Sequence, residues 1–223
     1  MFRKRLRFSK KGNLKFIGHL DFLRVFGEMI SRSRLPVCYS AGFNPHILLS
    51  FALPLPLGFE SENDYADLVF DVDLPADEIA SDLNEVAPNG LVIKAVYDAK
   101  DKCASVVAMA DYSVKLKDNS EAAIEKALSQ ETIVIPKKTK SGIKNTDIRQ
   151  DIISVKTIKE ELHMCLSAGS ARFLHPVMAI EAIFGYKPSP IGFTRLEMYK
   201  MEKIETGDEK RELLSSSFVP VKL

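Results

Sequence analysis

Tryptophan is absent from this 223-residue chain, and histidine and cysteine are scarce, with four and three copies. The cysteines, Cys38, Cys103 and Cys165, are odd in number and far apart, without a C-x-x-C or a histidine at metal-ligand spacing. That pattern argues against a disulfide framework and a zinc site, and it fits three buried or spare thiols. No apolar run approaches the ~20 residues that span a bilayer. The N-terminal Met1-Phe2-Arg3-Lys4-Arg5-Leu6-Arg7 has the charge of a secretion signal but no apolar stretch behind it. The expectation is a cytoplasmic protein with no membrane contact and no metal or cofactor in this chain.

What is present is ordinary in amount and uneven in distribution. Apolar residues make up 46% and charged residues 27%, the balance of a globular chain long enough for one large domain or two smaller ones. The net charge of +1 conceals a segregation. Residues 1–60 hold ten Lys or Arg against three acids, residues 61–98 hold one against ten, and the remainder twenty against seventeen. A basic segment followed by an acidic one sets apart a candidate anion-binding face.

Residues 2–8 alternate Phe2, Lys4, Leu6 and Phe8 against Arg3, Arg5 and Arg7, so a strand there projects three arginines from one face. Residues 18–34 carry a helical stripe of Leu20, Leu23, Gly27 and Ile30, widened by Phe22, Phe26 and Met29, and Pro36 closes it. A short strand at 37–39, a Ser40–Pro45 turn with Gly42 at positive φ, and an alternating run at 47–53 lead into Pro54 and Pro56. Strand 64–72, with Ala66, Leu68, Phe70 and Val72 as its buried face, precedes a helix at 75–87 and a strand at 91–97. The order matches the βαββαβ plan of a ferredoxin-like domain, with both helices on one face of an antiparallel sheet. It recurs as strand 110–117, helix 120–130, strand 132–136, a basic loop 137–144, strands 151–158 and 161–167, helix 176–184 and strand 192–201. The expected class is α+β, with tandem ferredoxin-like domains and antiparallel sheets. Residues 1–98 form the first domain, with an inserted G-F-N-P-H loop, residues 108–201 a less regular second, and residues 202–223 a loosely held tail.

Three runs resemble a known family: F-I-G-H-L-D-F-L-R-V-F at 16–26, L-P-V-C-Y-S-A-G-F-N-P-H at 35–46, and S-F-A-L-P-L-P-L-G-F-E-S-E-N-D-Y at 50–65. They are similar to the bacterial family described as radical-SAM-linked proteins of unknown function, closely over residues 1–98 and loosely beyond. The resemblance implies a partner, a radical S-adenosylmethionine enzyme beside or fused to this domain, and no assigned activity. The chain has no C-x-x-x-C-x-x-C triplet, so it is not itself the cluster-bearing enzyme. In architecture alone, tandem ferredoxin-like domains with a glycine-containing loop are similar to RNA-binding and repeat-cleaving proteins of CRISPR systems.

Three functional readings stay open. The first is an accessory protein that binds or presents RNA, tRNA or rRNA, for the partner enzyme. Arg3, Arg5, Arg7, Lys10 and Lys11 would meet phosphates, Tyr39 and Phe43 would stack on bases, and Asn44 and His46 would make polar contacts. The helix-free face of the first strand is then expected to lie open as a cationic platform. The second is a protein docking partner of that enzyme without nucleic acid, contacting it through the proline-punctuated loop 51–59. The third is a metal-independent endoribonuclease with His19 and His46 as acid and base and Lys10 or Arg24 stabilising the phosphorane, since imidazole titrates near neutral pH. Loop 40–58 is expected to pack its apolar side chains on the first helix.

Overall fold

The computed structural model describes residues 1–116, 120–139, 142–170, 172–189, 192–203 and 209–213. The first half runs β1 (Phe2–Lys10), α1 (His19–Ser33), β2 (Leu49–Phe51), β3 (Glu60–Phe70), α2 (Ala76–Val86) and β4 (Leu91–Asp98). After a short α3 (Cys103–Val106), the second half runs β5 (Met109–Lys115), α4 (Glu121–Leu128), β6 (Val134–Thr139), β7 (Gly142–Asp147), β8 (Ile152–Ile158), β9 (Glu161–Ser167), α5 (Pro176–Phe184), β10 (Phe193–Lys203) and β11 (Glu209–Leu213).

Nine strands join in one sheet of order β4-β1-β3-β10-β5-β9-β8, with β2 paired to β3 and β11 to β10, while β6 and β7 form a separate hairpin. The fold is mixed α and β with a mostly antiparallel sheet. The β3–β10 contact is parallel and short, Thr194 opposite Glu60 and Arg195 opposite Ser61, and it joins the strands of the two halves.

Apolar area explains which helix faces turn inward. In α1 the buried residues are Phe22, Phe26, Met29 and Ile30, whereas Leu20, expected on the stripe, is 70% exposed. Two phenylalanines a helical turn apart outweigh a lone leucine, each worth up to ~3 kcal/mol on burial. The helix ends on Arg34 in the left-handed region at φ +57, just before Pro36. In α2, Ile79 and Leu83 point inward and Asp77 and Glu78 favour the first turn. Asn84 then ties α2 to β4, donating to Ile93 O at 2.9 Å and accepting from its N–H at 2.8 Å. Both helices share one core with Leu6, Phe8, Ala66, Leu68 and Phe70, on a single face of the sheet. The core of the second half gathers Ile124, Ala127, Ala179 and Ile180 of α4 and α5 with Tyr112, Val114, Leu162 and Leu166.

Several expected elements differ. The strand at 37–39 is reduced to two isolated bridges, Val37 to Phe70 and Tyr39 to Ile47. The hairpin of β6 and β7 occupies most of the stretch read as a strand and a basic loop. In the region read as a tail, β10 continues to Lys203 and β11 pairs with it; residues 204–208 and 214–223 lie outside the described residues. Strand β3 is buried on both faces, Tyr65 and Asp67 as well as Ala66, Leu68 and Phe70, because it sits inside the sheet with cover on each side.

Candidate functional site

Arg3, Arg5 and Arg7 share one face of β1, opposite Val69, Asp67 and Tyr65 of β3. The expected open platform does not exist at its centre. Arg5 is 0% exposed. Its Nε donates to Asp67 Oδ1 at 2.7 Å, and its Nη2 donates to Asp67 Oδ2 at 3.1 Å and to Asp101 O at 2.6 Å. The linker between the halves closes over this pair, the Cys103 N–H donating to Asp67 Oδ2 at 2.7 Å. Burial, with the Asp67 carboxylate adding to it, pushes the Cys103 thiol up to about 12, which leaves it inert as a nucleophile. A guanidinium committed to a buried carboxylate cannot also neutralise a phosphate, so Arg5 leaves the set of nucleic-acid contacts. Arg7 is half-buried, with no hydrogen-bond partner for Nε among the described residues, and its charge acts on Glu197. Arg3 reaches outward, Nη1 donating to Lys100 O at 3.2 Å.

Open surface gathers instead at the G-F-N-P-H segment, which forms a small clasped hairpin. The Ser40 N–H donates to His46 O at 2.8 Å, the Ser40 hydroxyl accepts from the His46 N–H at 3.1 Å, and the same oxygen lies 2.8 Å from His46 Nδ1. Gly42 turns the chain at φ +116 with open space around it, so the backbone angle rather than crowding selects glycine. Phe43 at the tip is fully exposed, Tyr39 is 51% exposed, and Asn44 and His46 are exposed. Next to the hairpin, a cavity of about 280 Å³ is lined by Arg3, His46, Ser50, Asp67 and Lys102 among others. The structure therefore brings Arg3 and His46 together and adds Lys102, which the sequence reading missed. Its signal was the Lys100-Asp101-Lys102 run in the linker.

Lys10 lies at the other end of β1 and is also removed from the phosphate-contacting set, being 1% exposed. Its Nζ sits 4.5 Å over the Phe22 ring, and its hydrogen bond to Ile17 O is long, 3.4 Å. Burial lowers its pKa against the pull of Asp64, with Arg195 adding to the lowering. Asp64 is already taken: Arg195, 0% exposed, donates from Nε at 2.8 Å, and Ser61 donates its hydroxyl at 2.8 Å. Lys10, Asp64 and His19 touch a cavity of about 10 Å³, the size of one water. Burial and the Lys10 charge lower the pKa of His19, whose ring meets Phe51 edge-on at 5.8 Å. Lys11 is exposed and paired with Glu62 at 2.6 Å, and Arg24 with Asp21 at 3.1 Å.

The two histidines do not converge. His46 lines the cavity beside Arg3 and His19 the one beside Lys10, with seven residue steps of strand, roughly 23 Å, between those positions. An acid and a base around one 2′-hydroxyl need hydrogen-bond reach, so this pairing is not assembled. Loop 51–59 faces inward: Phe51 packs 5.8, 5.4 and 5.2 Å from the rings of Phe8, Phe22 and Phe26, and Ala52, Leu55 and Phe59 are buried. Leu57 alone among its large apolar side chains is mostly exposed, which leaves little surface for docking.

Among the described residues, no three His, Cys, Asp or Glu are grouped so as to hold a metal, and no helix is long and apolar enough to cross a membrane. Residues 3–176 match the family described as "Uncharacterized protein conserved in bacteria (DUF2344)". The match passes well beyond residue 98, through β9 to the first residue of α5, and so takes in most of the second half as well. No curated protein matches the chain.

Proposed function

The chain belongs to that bacterial family, and from its geometry we propose an accessory RNA-binding protein that presents a single-stranded segment, of tRNA or rRNA, to a partner enzyme. The observation that carries this reading is the clasped hairpin, which holds two exposed aromatic rings, Tyr39 and Phe43, beside a cavity lined by Arg3, His46 and Lys102. Aromatic faces interleaved with cations are what an unstacked strand requires, a ring for each base and a charge for each phosphate. Because Ser40 engages Nδ1 of His46, Nε2 remains to meet a base edge. The partner in this reading is a radical S-adenosylmethionine enzyme, supported by the resemblance of the runs at 16–26, 35–46 and 50–65. The same reading takes each half as a ferredoxin-like unit. Numbered within their own half, and with the separate hairpin β6–β7 and the added β11 left aside, β4-β1-β3-β2 and β10-β5-β9-β8 both run 4-1-3-2, with helices after the first and third strands, which supports it.

The test is fluorescence anisotropy with a labelled single-stranded RNA 12-mer. Saturable binding is expected, weakening with log salt at a slope near −1.4 for two phosphate contacts at ~0.7 each. Phe43→Ala should weaken it by about 5- to 150-fold, the value of one stacked base. Arg3→Gln and Lys102→Gln should each flatten the slope by ~0.7. Absence of saturable binding at 50 mM salt, or full affinity in Phe43→Ala, would overturn the reading. Salt-insensitive association with the partner enzyme through Phe43, without RNA, would identify a docking protein instead.

A further inference from the structure

A second cavity, of about 820 Å³, opens where the linker passes the starts of β5 and β8 and the end of β9. Arg172, Lys200, Ser167 and Ser170 line it, with Asp101 and Gln150 among the other polar residues. Arg172 is held in place before any ligand arrives: Nε donates to Asp151 Oδ1 at 2.7 Å and Nη1 to Gln150 Oε1 at 2.9 Å. Asp151 is itself buried, while the Arg172 side chain is 50% exposed, and its third nitrogen, Nη2, makes no hydrogen bond among the described residues. A guanidinium that lines a cavity, is oriented by a buried carboxylate and keeps one nitrogen uncommitted is a pre-organised receptor for an anionic oxygen.

The loop beside it is built close to the linker. The Ala168 N–H donates to Ala108 O at 2.8 Å, and a Cβ on Gly169 would stand 2.9 Å from Val107 O, so only glycine lets Ser167 and Ser170 flank the cavity at this distance. Val106, Val107, Met109 and Ile153 also line the cavity, the last of them 42% exposed. These two cations, two serines and four apolar residues around one space of this size suit a phosphate ester carrying an apolar, planar body.

We propose that this cavity binds a nucleoside monophosphate group, its phosphate on Arg172 and Lys200 with the Ser167 and Ser170 hydroxyls, its base against Val106, Val107 and Ile153. A free nucleotide and the 5′-phosphorylated end of an RNA share that chemistry. The site shares no residue with the hairpin cavity and does not depend on the reading given to it.

Isothermal titration of the full chain with AMP, UMP, adenosine, inorganic phosphate, and a trinucleotide with and without a 5′-phosphate tests the proposal. A mononucleotide should bind at least tenfold more tightly than adenosine or phosphate. If the 5′-phosphorylated trinucleotide matches or exceeds AMP and its 5′-hydroxyl form does not, the source is an RNA end; if AMP or UMP alone binds, the source is a free nucleotide. Arg172→Gln should lower affinity at least tenfold. Because that change strands Asp151, Ile153→Glu at the exposed wall serves as a second variant with intact folding and the same loss. No saturable heat with any ligand, phosphate binding as tightly as AMP, or undiminished affinity in Ile153→Glu would overturn it.

Discussion

Arg5 and Asp67 stand directly opposite each other in β1 and β3 and close two hydrogen bonds, 2.7 and 3.1 Å, where neither side chain is more than 2% exposed. The basic and acidic segments of the chain thus meet inside the sheet. Arg5→Met leaves the Asp67 charge buried with the Cys103 N–H among its few remaining donors, a loss expected to be about 3–5 kcal/mol. Adding Asp67→Asn removes that charge and keeps an acceptor for Cys103, so the double variant should regain most of the stability. Urea denaturation compares them; equal losses in the single and double variants would refute the argument.

Lys10 and Arg195 approach the same carboxylate, and Arg195 holds it. Lys10 is a buried cation with, among the described residues, a single long hydrogen bond, so Lys10→Met is expected to raise stability by on the order of 1 kcal/mol. Arg195→Met, which abandons Asp64, should lower it by about 3 kcal/mol or more. A loss in Lys10→Met as large as that in Arg195→Met would show that both cations are needed.

Glu197 lies cross-strand from Asp111, and burial pushes its carboxyl above the usual range although Tyr65 donates to it at 2.6 Å. In the window above the ordinary carboxyl value near 4.3, the folded chain binds the proton more tightly than the unfolded one, so stability falls as pH rises through the raised value. Glu197→Gln still accepts from Tyr65 and from the Met198 N–H. It is expected to melt at a higher temperature than the parent at pH 7 and to lose that advantage as pH falls toward 4. A difference in melting temperature that does not change with pH would contradict the assignment.

Gly42→Ala probes the hairpin without touching the core. At φ +116 an alanine is strained by roughly 1–2 kcal/mol, and space around the residue offers no compensation. The Ser40 amide, bonded to His46 O, should exchange with solvent about 5- to 30-fold faster, while the global melting temperature stays near that of the parent. A large drop in melting temperature would mean the hairpin is coupled to the core.

Most strands and helices were legible because their periodicity is strong: β9 and α5 begin and end where alternation and Pro176 place them. The three-arginine face was legible as well, since alternation along β1 dictates it. Its fate was not. Whether Arg5 meets solvent depends on Asp67 arriving opposite it and on residues 101–103 folding over both, pairings that no local pattern in β1 encodes. Arg195, 131 positions from Asp64, lay beyond the same horizon. The hairpin was found because glycine, proline and aromatics mark it locally, whereas Lys102 joins its cavity only through the fold.

The short parallel contact between β3 and β10 sets an order of events during synthesis. A ribosome adding ~5–20 residues per second completes β3 at Phe70 roughly 6–25 s before Phe193 opens β10. In that interval Asp64 has no guanidinium from Arg195, and the part of β3 near Glu60 and Ser61 presents an unpaired edge, because β2 pairs only with residues 66–68. Such an edge invites pairing with another nascent chain. Strand β10 therefore acts as a lock on the first half, and the two halves reach their final stability together, late, rather than one after the other.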